Sequence, residues 1–292
     1  MATFLSQFTE PYRFSVEQHY NSLVSSHFSS PQNAELVLSI AVFIGLYWAL
    51  GGLFFLLDLT RKPAFLYRYK IQPQSSQVNS ASVRRLLKQV LLNQALTVLF
   101  TFALSSARWS TPPQQSIPSL SRLVLEFTCF LLVEEVCFYY SHRLLHHPSL
   151  YRHIHKRHHE WQTPIAVTAL YCHPLEHLLS NYLPVVLGPA LLSSHTLTIL
   201  LWTAVVISST LSDHSGYYFP WMISSPMFHD YHHLQFGNNF GVIGLLDWLH
   251  GTDQAFRQSK YSRLHQRAFL RFTTPTESYK AAAKEKQEKS AQ

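Results

Sequence analysis

"LEFTCFLLVEEVCFYYSHRLLHHPSLYRHIHKRHHEW", Leu125–Trp161, joins an apolar run to seven histidines without a break. The apolar part, Leu123 to Tyr140, reads as a membrane-crossing helix, yet it carries Glu126, Glu134 and Glu135. Carboxyl groups at bilayer depth are expensive, so residues of this kind face the protein interior and mark function. Continued as a helix, the run projects His142 and His146 from one face, because residues four apart are helical neighbours. The stretch reads as a helix that leaves the membrane directly into a cluster of imidazoles.

Upstream, "LVLSIAVFIGLYWALGGLFFLL" (Leu36–Leu57) has no charge and is long enough to cross a hydrocarbon core. Val90 to Ala107 forms a second, shorter span interrupted by Asn93 and Gln94. Downstream lie two apolar arms, Leu178–Leu192 and Thr196–Ser212, joined at Ser193–His195. Each is short for an upright span, so the pair either crosses twice or forms a re-entrant hairpin. The expected fold is all-α: a multi-span integral membrane protein with about four spans, or three spans plus a helical hairpin. Either version returns His214 and the 229–233 cluster to the side that holds 142–159.

Basic residues set the sidedness. Arg61, Lys62, Arg68, Lys70, Arg84, Arg85 and Lys88 follow the first span, whereas Arg13 alone precedes it. The N-terminal segment is therefore expected in the lumen, and the histidine stretch, with Arg143, Arg152, Lys156 and Arg157, on the cytosolic face. Four regions follow: an N-terminal segment (1–35), two spans with their loops (36–118), a histidine-bearing catalytic region (119–255) and a cytosolic tail (256–292).

Composition agrees with a membrane setting. Charged residues are 13% of 292, against about a quarter in soluble domains. The net charge of +7 is spread without an arginine-rich block, which argues against a nucleic-acid partner. Cys129, Cys137 and Cys172 have no paired spacing and suggest no disulfide. The first twenty residues lack the basic segment and apolar core of a cleavable leader. The last nine, Lys284–Gln292, read as a solvated tail.

Fourteen of the eighteen histidines lie between His142 and His233. His155, His158 and His159 are spaced i, i+3, i+4, and His229, His232 and His233 repeat that spacing. One such set recurs by chance. Three sets on one membrane face are different: charged imidazoles would repel one another, whereas neutral ones with converging nitrogens hold a transition metal. Eight imidazoles exceed the needs of one ion and suggest two, with His173, His177 and His214 as candidates to complete the set. Glu134, Glu135, Glu160, Asp213 and Asp230 are expected to act as hydrogen-bond acceptors that fix ligand tautomers. The clusters contain no cysteine, which excludes a zinc knuckle or an iron–sulfur centre. Iron, zinc and copper all suit imidazoles. A site at the membrane boundary, roofed by apolar arms, suits a lipid, and oxidising an unactivated C–H bond calls for a metal and O2, iron foremost. With no G-x-G-x-x-G fingerprint and no P-loop, electrons are expected from a separate carrier.

"HRLLHH" (142–147), "HKRHH" (155–159) and "HDYHH" (229–233) resemble the three histidine boxes of the fatty acid hydroxylase/sterol desaturase superfamily of membrane di-iron enzymes. "HPLEHLLSNYLPVVLGP" (173–189) and "GVIGLLDWLHGTD" (241–253) are similar to its sterol C4-methyl oxidase branch. The resemblance is strong over Leu123–Asp253 and looser at "FLLDLTRKPAFLYRYKIQ" (55–72). By position it implies that His142, His146, His155, His158, His159, His229, His232 and His233 are catalytic metal ligands, with His214 and His173 as further ligands. It implies a monooxygenase of the endoplasmic reticulum membrane that uses a pair of irons, O2 and electrons from NAD(P)H through cytochrome b5 or its reductase. The implied reaction is oxidation of a sterol C4 methyl group in sterol biosynthesis. Two alternatives stay open: hydroxylation or desaturation of another lipid, at a fatty acyl chain or another sterol position, and a non-catalytic regulator of lipid metabolism or differentiation. "HPLEH" also fits an H-x-x-E-H metallopeptidase with Glu176 as base, but that reading leaves the eight box histidines idle. A metal transporter would thread histidines through its spans, and here they follow the spans.

Overall fold

The computed structural model describes residues 2–72, 80–107, 116–219 and 226–263. The expected tail, Lys284–Gln292, lies outside these. Among the described residues the chain is helical with no strand, apart from one antiparallel bridge between Lys70 and Tyr217. The longer helices are α1 (Ala2–His27), α2 (Pro31–Thr60), α4 (Ser80–Ala107), α5 (Leu120–Leu145) and α9 (Thr196–Ser215). Between and after them come α3 (Ala64–Tyr67), α6 (Pro148–Tyr151), α7 (Pro174–Glu176), α8 (Leu183–Leu191), α10 (Pro226–Gln235), α11 (Leu245–His250) and α12 (Gln254–Gln258).

Local chemistry sets the ends. Ser30 caps α2 by accepting from Asn33 N–H at 3.2 Å, and Pro31 occupies the first turn, where its missing N–H costs nothing. Gly216, at φ +68°, stops α9 in the left-handed conformation that glycine adopts without strain.

Among the described residues three helices are long and apolar enough to cross a membrane: Pro31–Thr60, Ala81–Ser106 and Thr196–Ser215. The expected span at Leu123–Tyr140 is a helix, within α5, but it is not one of these. Glu126, Glu134 and Glu135 lower its apolarity, and all three are buried. The first downstream arm also differs from expectation. It begins as a π-helical turn, His177–Tyr182, and continues as the nine-residue α8, which rises only about 14 Å, or half a hydrocarbon core.

α2 packs along α9, and α5 along α8. The second contact is close because Gly188 has no side chain; a Cβ there would stand 2.9 Å from Phe130. Trp202 of α9 locks the same junction by donating its indole N–H to Val185 O at 3.0 Å. Asn93 and Gln94, polar within an apolar helix, both have partners. The Asn93 amide donates to Leu170 O (2.8 Å) and Cys172 O (3.0 Å), and Gln94 Oε1 accepts from the Trp48 indole. The Asn93 bonds fasten the loop after the second histidine box to α4, and the Gln94 bond ties α4 to α2. The C-terminal ends of α5 and α9, the segment 155–160 and α10 meet at one end of the bundle.

Candidate metal centre

α5 ends at Leu145, so His142 sits in its last turn and His146 forms its cap. His155–Glu160 is a 3₁₀ helix, not the α-helix suggested by the spacing of the second box. His214 occupies the last turn of α9, and α10 carries His229, His232 and His233.

These nine rings sort into two groups. His142, His146, His155, His159 and His232 converge in one; His158, His214, His229 and His233 converge in the other. Within each group the ring nitrogens lie within 4.8 Å of one another. The first box contributes to one group only, whereas the second and third boxes each contribute to both.

The nitrogen geometry shows what the groups can hold. His142 donates Nδ1–H to Phe240 O at 2.8 Å, and His155 Nδ1 meets Glu176 Oε1 at the same distance. With the ring hydrogens on Nδ1, the two Nε2 atoms face each other at 3.1 Å with lone pairs only. Two acceptors at that distance repel unless a cation lies between them. Further Nε2–Nε2 separations are 3.2 Å for His146–His232, 3.0 Å for His159–His155, 3.3 Å for His214–His158 and 3.0 Å for His229–His214. Nitrogens about 2.1 Å from a shared ion stand roughly 3.0 Å apart in octahedral and 3.4 Å in tetrahedral coordination. The residues therefore fit two metal ions, one for each group.

Electrostatics prepares the rings for that role. Burial holds His155, His158, His159, His229, His232 and His233 below the ordinary histidine range, and the neighbouring rings push them further. Burial and His142 bring His146 down to about 2. At neutral pH these rings are uncharged and present lone pairs, as metal ligation requires.

Other ligands are oriented by backbone carbonyls. His232 donates to Asn238 O at 2.7 Å and His214 to Thr210 O at 2.8 Å. The loop that supplies Asn238 and Phe240 is itself pinned by two buried carboxylates. Asp247 accepts from Phe240 N–H (2.8 Å) and Gly241 N–H (2.7 Å). Glu135 accepts from Val242, Ile243 and Leu246 N–H at 2.7–2.9 Å. Gly241 is required between them, because a Cβ would stand 2.7 Å from Glu135 Oε1.

Several expected participants stand elsewhere. His173 belongs to neither group; its Nδ1 caps α7 by accepting from Leu175 N–H at 3.2 Å. His177 pairs with Thr97 Oγ1 at 2.7 Å. Glu160 accepts from the Tyr171 hydroxyl, and Asp230 takes both amide hydrogen bonds of Gln72, at 2.9 and 3.1 Å. Glu135 supports the loop and not a ligand ring. Glu134 and Asp213 line a cavity. Glu176 and Asp247 were not expected as supports. The spacing of "HPLEH" singled out Glu176 but suggested a catalytic base, and Asp247 lies within "GLLDWLHGTD" without a signal of its own.

The cavity has a volume of about 1910 Å³, beyond the roughly 300–1,000 Å³ of ordinary small-molecule sites. Apolar side chains such as Leu53, Phe127, Leu131 and Val206 line it, and it reaches His142, His155, His158, His214 and His229. A second, shallower hollow touches His146 from beside Arg143, Tyr151 and Phe236. Near the four-histidine group, Lys70 is buried against Asp58 at 2.6 Å, Ser215 O at 3.0 Å and the face of Tyr217 at 4.4 Å.

The fold and site define a helical membrane protein with a lipid-sized cavity that ends on paired imidazole clusters. Residues 127–252 match the model of the fatty acid hydroxylase family. The chain is 44% identical over 237 residues to human (Homo sapiens) fatty acid hydroxylase domain-containing protein 2, covering 80% of this chain and 70% of that one. It is 36% identical over 211 residues to fatty acid hydroxylase ahd1 of Mycosarcoma maydis, covering 70% and 54% respectively. With methylsterol monooxygenase 2-2 of Arabidopsis thaliana it shares 33% identity over 264 residues, covering 84% and 94%. No solved structure matches the chain. The chain belongs to the fatty acid hydroxylase family.

Proposed function

We propose that this chain is a membrane-bound lipid monooxygenase that holds two iron ions, and that its substrate is a sterol oxidised at the C4 methyl group. The observation that carries the reading is the pairing of two imidazole groups with the end of a large apolar cavity. His142, His146, His155, His159 and His232 would hold one ion, and His158, His214, His229 and His233 the other. Bound there, the irons supply the activation of O2 that no side chain provides. The protein's own part is placement. Glu176, Phe240, Asn238 and Thr210 aim the rings, and the apolar walls keep water from the reacting carbon.

Electrons would come from NAD(P)H through cytochrome b5 or its reductase. The hollow beside His146, edged by the exposed Arg143, supports an approach for an acidic carrier. On this reading the protein resides in the endoplasmic reticulum with its metal centre on the cytosolic face, as the basic residues around the second box favour. Similarity along nearly the whole length of a methylsterol monooxygenase supports the sterol substrate. A second reading, hydroxylation of a fatty acyl chain, is favoured by the similarity to ahd1. Lipid profiling of cells lacking the protein separates them. Accumulated 4-methyl sterols support the first; unchanged sterols with depleted hydroxyacyl chains overturn it.

A further inference from the structure

The cavity is not uniformly apolar. Its walls are mostly apolar, but polar groups stand among them, including Ser209, Ser212 and Asp213 of α9 and Glu134 of α5, the two helices that carry His214 and His142 in their last turns. Glu134, Phe138 and His142 are spaced i, i+4, i+8, so one face of α5 presents the carboxyl, a ring and a metal-site imidazole to the same cavity. Ser209 and Asp213 lie on one face of α9, within a turn and a half of His214.

Glu134 is the informative member. Its side chain is only 7% exposed, and among the described residues its carboxyl makes no hydrogen bond. Glu135, its neighbour in sequence, is fully buried and accepts three backbone N–H groups. A buried carboxyl without a partner is costly and is satisfied by whatever enters the space it faces. Asp213 of α9 lines the same space, so carboxyl groups border it from two helices. Carboxyl oxygens accept hydrogen bonds from a hydroxyl.

We infer that this polar part of the cavity binds the hydroxyl of a neutral lipid alcohol, with Glu134 as acceptor, and so selects alcohols over ethers of the same shape. Glu134 stands about two helical turns before His142 on α5, so the alcohol is anchored in the same cavity that reaches the metal-site rings. The inference deepens the lipid-oxygenase reading and rests on it for the identity of the cavity as the substrate site.

The test measures binding and needs no turnover. Full-length, iron-free protein in nanodiscs is titrated with a radiolabelled 4-methyl-3-hydroxysterol, its 3-methyl ether, hexadecanol and hexadecyl methyl ether. Each alcohol should bind about tenfold more tightly than its ether, as expected for one hydrogen bond to a buried acceptor. Glu134→Leu should abolish both preferences. Glu134→Gln, of the same shape and with an acceptor oxygen, should retain them. Equal binding of alcohol and ether by the unaltered protein overturns the inference, as does an unchanged preference in Glu134→Leu. If the preferences hold but the iron-loaded protein oxidises none of these lipids, the oxygenase reading fails and the binding inference survives.

Discussion

Glu176 Oε1 lies 2.8 Å from His155 Nδ1, and both side chains are almost completely excluded from solvent, at 4% and 1% exposure. The contact leaves His155 Nε2 as a lone pair aimed at the five-histidine group. Burial pushes the Glu176 carboxyl above the usual carboxylate range, and the His155 ring is the hydrogen-bond partner of its Oε1.

Glu176→Ala should therefore lower metal affinity by about 10- to 100-fold, the usual cost of losing a group that orients a ligating histidine. Glu176→Gln, which retains an acceptor oxygen, should lose less. Iron titration of the purified protein reads this directly, and equal affinity in the alanine variant and the parent would count against the role.

Adjacent histidines should behave differently. His158 and His159 are neighbours in sequence but belong to different groups. His158→Ala leaves three imidazoles in a group of four, whereas His159→Ala leaves four in a group of five. The first should reduce iron from two ions to one per chain; the second should weaken the other site while keeping a larger share of its iron. Elemental analysis at defined free iron distinguishes them. The same loss in both would mean that the groups are not separate sites.

Much of this centre was legible in the sequence. Spacings of three and four residues placed the box histidines on shared faces, and the two downstream arms returned His214 and the third box to the first two. The ligand supports were not legible, because they are long-range. Glu135 reaches backbone groups more than a hundred residues away, and the His142 acceptor, Phe240 O, is a main-chain atom that carries no residue signal. The split of the second box was equally hidden, since it depends on a 3₁₀ turn where the spacing suggested an α-helix. The span expected in α5 shows the same limit. Its glutamates signal function, but only the packed structure shows that one of them holds a loop and another faces the cavity.

Acid should destabilise the metal-free protein. His155, His158, His159, His229, His232 and His233 have folded-state values below the roughly 6.5 of an unfolded chain. Below that pH the unfolded chain binds more protons than the folded one, so stability falls as pH drops and is fully present above about 6.5. Six groups act in the same direction, so the decline should be steeper than for a single histidine. Thermal unfolding of iron-free protein between pH 5 and 8 measures it, and a flat midpoint across that range would contradict the burial argument.

The clasp between Asp58 and Lys70 yields the last expectation. Both side chains are 2% exposed, the Tyr217 hydroxyl also donates to Asp58 Oδ1 at 2.7 Å, and Lys70 N–H groups reach Ser215 O beside His214. Removing either partner leaves an uncompensated buried charge, which costs about 3–5 kcal/mol. Removing both leaves none, and well-packed apolar replacements of a buried pair are often neutral. Asp58→Leu and Lys70→Met should each lower the unfolding midpoint sharply, and the double variant should recover most of the loss. Because Lys70 touches the residue after His214 and Gln72 grips the one after His229, the single variants should also weaken iron at the four-histidine group before the five-histidine group. A double-mutant cycle in detergent-purified protein measures the coupling. Additive losses would show that the two charges do not rely on each other, and even loss of iron from both groups would show that the clasp serves the whole fold instead of one site.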